Sequence, residues 1–65
     1  MTRFEYEAVM NAISVCEEEE KKLCVKFCEL IPQNRERIEH ATDIMLLAYM
    51  RARHELGKLE RLVEE

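Results

Sequence analysis

Apolar residues recur along the first half of the chain at Val9, Ile13, Cys16, Leu23, Phe27 and Leu30, with steps of four, three, seven, four and three. An alternation of four and three keeps side chains on one stripe of a helix, and the single step of seven is one missed position on that stripe. Thr2 fits an N-cap, with Glu5 three residues on as its capping-box partner. The pattern ends at "LIPQNR". Pro32 disfavours helical backbone at Ile31 and has no N–H to continue a helix. The first helix is therefore expected over about 2–30, with a turn over 31–34.

A second stripe runs through Ile38, Thr42, Met45, Tyr49, Ala52, Leu56, Leu59 and Val63 without a gap. Either Pro32 in the first turn or Asn34 as cap would start this helix, expected over about 35–63. Gly57 falls inside it. Because the stripe resumes at once, Gly57 reads as a slight bend or a close helix contact rather than a stop.

Two helices of about 30 residues would each be ~45 Å long, and a short turn makes them an antiparallel hairpin. The fold class is all-α, a single domain over 1–65. In the run "IMLLAYM", Met45, Ala48 and Tyr49 are expected to face the other helix. Leu46, Leu47 and Met50 then point elsewhere and need a second cover. A second copy of the chain is the simplest, giving a homodimeric four-helix bundle with Leu46, Leu47 and Met50 at the dimer interface.

Composition agrees with helix: one Gly, one Pro and no Trp among 65 residues. A chain this short buries little surface, which again favours a partner, a metal or a disulfide. Three cysteines (Cys16, Cys24, Cys28) on one helix do not form a disulfide framework, so a reducing, cytoplasmic setting is expected. Glu5 and Glu7 interrupt any apolar signal-peptide core, and Ile44 to Met50 is too short to span a bilayer, so no membrane partner is expected. The net charge is −4, unlike the basic balance of a general nucleic-acid binder.

The block "EEEEKK" crosses the first stripe. Glu17 with Lys21 and Glu18 with Lys22 are favourable i,i+4 pairs, and Glu17, Glu18, Glu19 and Glu20 together would form an acidic patch. Glu20 occupies the missed stripe position. It could swing out to water, form a polar layer with Tyr49, Thr42 or an Arg, or belong to a ligand site. Cys16, Glu20, Cys24 and Cys28 extend over roughly 18 Å, too far for one ion. Only Cys24 and Cys28 could share a metal or redox site, completed by His40 or a second chain. The expectation is no metal and no cofactor. No Gly-rich loop or nucleophile elbow is present, so no enzyme is expected.

Arg37, His40, Ile44, Leu47, Arg51, His54, Lys58 and Arg61 repeat at alternating steps of three and four, parallel to the second stripe. This register is basic at both ends, apolar in the centre and free of acidic residues, with Glu36, Glu55 and Glu65 beside it. It could meet an acidic protein surface or a phosphate backbone. Arg37, His40, Leu47, Arg51, His54, Lys58 and Arg61 are the candidate partner contacts.

In organisation the chain resembles the Rop-type RNA-binding regulators, hairpins of similar length that dimerise into four-helix bundles. That resemblance implies RNA or other nucleic-acid binding through paired first helices, whereas the first helix here is acidic. The leading expectation is a small adaptor or inhibitor that binds another protein, an accessory protein of the kind phages, viruses and plasmids encode. Nucleic-acid binding is the alternative.

Overall fold

A computed structural model describes residues 1–64. Glu65, named above beside the basic stripe, lies outside them. The described chain is helical almost throughout. Helix α1 spans Arg3–Leu30 and helix α2 spans Arg35–Gly57. A 3-10 turn, Pro32–Asn34, joins them, and a second 3-10 segment, Lys58–Leu62, follows α2. The helices lie antiparallel in a plate of 51 × 16 × 8 Å, two helices wide and one thick.

Local chemistry sets the ends of α1. The Thr2 amide donates to Glu5 Oε1 at 2.8 Å, and the Glu5 amide donates to Thr2 Oγ1 at 3.1 Å, a complete capping box. Hydrogen bonding from the Thr2 backbone, then from its side chain, holds the Glu5 carboxyl below its ordinary value of 4.5. At the other end Ile31 leaves the helical region at φ −134°, ψ 69°, while its N–H still reaches Phe27 O at 2.8 Å. Pro32 then opens the 3-10 turn at a position where its missing N–H costs nothing. Asn34 precedes α2 but makes no side-chain cap bond, so proline, rather than an asparagine cap, organises the reversal.

The second helix departs from the expected course at Gly57. Here the α-helix tightens into the 3-10 segment, with the Lys58 N–H shared between Glu55 O and Leu56 O. Gly57 keeps right-handed angles, φ −59°, ψ −29°, and a Cβ built on it would lie 3.9 Å from Tyr6 Oη, an ordinary contact. Neither backbone strain nor close packing requires glycine there. Beyond the 3-10 segment the chain turns extended, and the Glu64 amide donates to Met1 O at 2.7 Å. With the Arg3–Glu60 ion pair at 3.1 Å, this ties the two ends of the hairpin together.

The line of contact differs from the apolar stripes. On α1 the half-buried positions are Arg3, Tyr6, Met10, Ile13, Glu17, Glu20, Cys24 and Cys28, while Val9, Cys16, Leu23, Phe27 and Leu30 remain exposed. On α2, Leu46 is half-buried and Met45 is exposed, the reverse of the expected arrangement. Helix α1 is thus rotated so that its stripe looks only partly at α2, whereas the second stripe, Met45 apart, stays half-buried along the contact. No described residue is fully buried.

Two predictions test these local determinants. Thr2→Ala should cost about 1 kcal/mol of stability in thermal or urea unfolding. It should also flatten the acid limb of the stability curve. With the Glu5 carboxyl lowered on folding, its contribution is complete above the ordinary value and is lost as pH falls through the lowered one. Gly57→Ala should raise stability by about 0.5–1 kcal/mol, since only chain freedom in the unfolded state is removed.

Candidate binding surfaces

The middle of the hairpin seam is polar. Arg53 reaches across from α2 so that Nη2 lies 2.5 Å from Glu17 Oε1, and the same nitrogen donates to Ser14 Oγ at 3.1 Å. The Glu17 side chain is only 17% exposed and that of Arg53 37%. Glu17 Oε1 is buried and receives no aligned hydrogen bond, so its contact with Arg53 is one of charge on charge. This clamp withdraws Glu17 from the acidic patch. It also replaces the expected Glu17–Lys21 pair, and the expected Glu18–Lys22 pair does not form either. The observed pairs are Glu18–Lys21 at 3.6 Å and Glu19–Lys22 at 3.5 Å.

The four glutamates do not form one surface, because consecutive helical residues lie about 100° apart. Glu17 enters the seam, Glu18 and Glu19 stand in solvent, and Glu20 is half-buried. Glu20 borders a groove formed with Leu23, Cys24, Phe27, Ile38, Ala41, Thr42 and Met45. The arginine of the polar layer therefore serves Glu17, one turn from Glu20. Thr42 donates instead to Ile38 O of its own helix at 2.9 Å. Tyr49 sits near Glu20 and Cys16; loss of solvent between the helices, then the charges of Cys16 and Glu20, push its phenol up.

Cys24 and Cys28 lie one turn apart beside the Arg35–Glu39 pair, which is 2.9 Å long. Loss of solvent, followed by a hydrogen bond with the Cys24 thiol, pushes the Cys28 thiol up. A thiol held in its neutral form is a poorer nucleophile and a poorer ligand. Among the described residues no group of three metal-donor side chains converges, and His40 is exposed without joining the two thiols.

The basic stripe occupies the outer edge of α2, on the opposite side of the helix from Ile38, Thr42 and Tyr49. Arg37, His40, Ile44, Leu47, Arg51, His54, Lys58 and Arg61 are all exposed. Leu47 and Ile44 flank a shallow depression with Ala48 and Arg51. Lys58 also holds Glu55, at 3.2 Å to each carboxylate oxygen. In a 3-10 segment residues three apart eclipse, so Arg61 stays in line with Lys58 beyond Gly57. Met50 neighbours both Leu46 and Leu47 at helix spacings of four and three, but the three differ in cover. Leu46 is half-buried toward the seam, Leu47 lies exposed on the outer edge, and Met50 projects exposed on the side of Glu39 and Asp43.

Arg53 and Ser14 are the residues that the apolar pattern did not mark. Arg53 follows the stripe residue Ala52 directly, and a long cation flanking a seam is the signal that finds it. Replacing Arg53 by Ala should destabilise the hairpin more in the wild type than beside Glu17→Gln. A double-mutant cycle in urea should return a coupling of roughly 1 kcal/mol, moderated by the exposed side of Arg53. Among the described residues, no helix is long and apolar enough to cross a membrane. No protein-family model, no curated protein and no solved structure matches the chain.

Proposed function

We propose that this chain is a non-enzymatic adaptor or inhibitor, working in the cytoplasm as a homodimeric helical bundle that binds another protein through the outer edge of α2. The observation that carries the reading is the basic stripe itself. Arg37, Arg51 and Arg61 project from an edge that the hairpin leaves open, on either side of exposed Ile44 and Leu47. Among the described residues none of these three arginines is tied to a carboxylate in an ion pair. An apolar centre with cationic flanks suits a protein surface with an apolar spot and acidic surroundings, since the centre supplies desolvated contact and the flanks supply orientation and encounter rate.

The mild negative charge of the whole chain favours a protein over a nucleic acid. Lys58 is already neutralised by Glu55, which weakens the stripe as a phosphate track. An accessory protein of the phage, virus or plasmid kind fits this economy of design.

Capture experiments with the immobilised wild type beside Arg51→Glu/Lys58→Glu test the reading, with circular dichroism confirming equal helix content. A protein retained by the wild type and lost by the variant supports it. Equal retention by both removes the stripe as the contact. A parallel titration with double-stranded RNA separates the alternative: tight binding that falls steeply with salt would move the function to nucleic acid.

A further inference from the structure

The hairpin leaves one of its two broad faces apolar. When two antiparallel helices are viewed from one end, successive residues turn in opposite senses. Stripes displaced to the same rotational side of each contact line therefore emerge on the same face. On α1 the displaced residues are Leu23 and Phe27 of the first stripe, and on α2 they are Met45 of the second stripe and its neighbour Ala41. The groove these four line together with Ile38 confirms that they share a face. Leu23 and Phe27 are 46% and 49% exposed there. Toward the open end the same face continues as a recess between Val9, Tyr6, Leu56 and Leu59. The opposite face carries Glu7, Glu18, Lys21, Glu39 and Asp43, with Val25 and Met50 standing among them, all exposed.

The exposed area matches the size of a protein interface. A compact monomer of 7.8 kDa has an accessible surface of about 4,400 Å² by the usual size scaling. The hairpin exposes 5368 Å². The excess, about 1,000 Å², is close to what each partner contributes to a standard protein interface. The stripes themselves keep a step of four and three along both helices. In a four-helix bundle that seam points between the hairpin partner and the facing pair, which is the rotation of α1 and of Met45 seen here.

We infer that the face bearing Val9, Leu23, Phe27, Ala41 and Met45 docks a second copy of this chain, closing two hairpins into a four-helix bundle. This rests on the homodimer in the reading above and moves its interface away from Leu47 and Met50. The basic stripe, on the outer edge, stays open to a partner in the dimer. Glu20 borders the covered groove, so the second copy takes solvent from its carboxylate, and the wild-type dimer gives up affinity there.

Sedimentation equilibrium in reductant, through the micromolar range, tests this with wild type, Phe27→Glu, Leu47→Glu and Glu20→Leu. The expected result is a wild-type dimer, a dimer for Leu47→Glu and a monomer for Phe27→Glu. Glu20→Leu should tighten association at least about tenfold, a gain that a folding defect cannot imitate. Dissociation by Leu47→Glu with Phe27→Glu still dimeric would overturn this face while leaving the homodimer standing. Unchanged or weaker association of Glu20→Leu also overturns it. A wild-type monomer throughout would remove the homodimer as well, and the capture experiment on the stripe would still be read independently.

Discussion

Two helices side by side have no interior. Each can cover one flank of the other and nothing more, and everything else in this molecule follows from that constraint. Where a compact domain would collect its large apolar side chains in a core, here every described residue keeps some contact with solvent. Stability within one chain must come from the contact line, the caps and the tie between the ends. The rest of the apolar surface is left for another surface to cover.

The contact line is itself a compromise. Its ends are apolar or aromatic, with Tyr6 against Gly57 at one end and Ile38 at the other. Its middle is occupied by Arg53, Glu17 and Ser14. A charge pair in a half-covered seam contributes little net stability, but it penalises any register that separates the two charges. That is a reason for the two rotations to be fixed together. Once Glu17 turns in to meet Arg53, Cys16 and Leu23 turn out onto the broad face. The ion pair and the uncovered apolar residues belong to one rotation of α1.

Charge is distributed by the same geometry. The outer edge of α2 gathers the basic register, and the face opposite the apolar one gathers acidic and mixed residues. Three surfaces of different chemistry result from two helices, each accessible to a different occupant.

The sequence by itself determined the local features. Thr2 and Glu5 announce the capping box, Pro32 announces the reversal, and steps of four and three announce two helices, because each depends only on neighbours a turn away. The basic register on α2 is legible for the same reason. What the tertiary structure decided is rotation. A stripe of four and three defines a direction on a helix but not what lies in that direction, so Met45 and Leu46 exchanged roles. The acidic block shows the same limit: four adjacent glutamates look like one patch in a string of letters, but Arg53, thirty-odd residues away, chooses Glu17 from among them. Gly57 completes the contrast, since its place within the second helical pattern is evident while the tightening into a 3-10 segment after it is not. Local rules act through backbone geometry; which side chains meet depends on the fit of two whole surfaces.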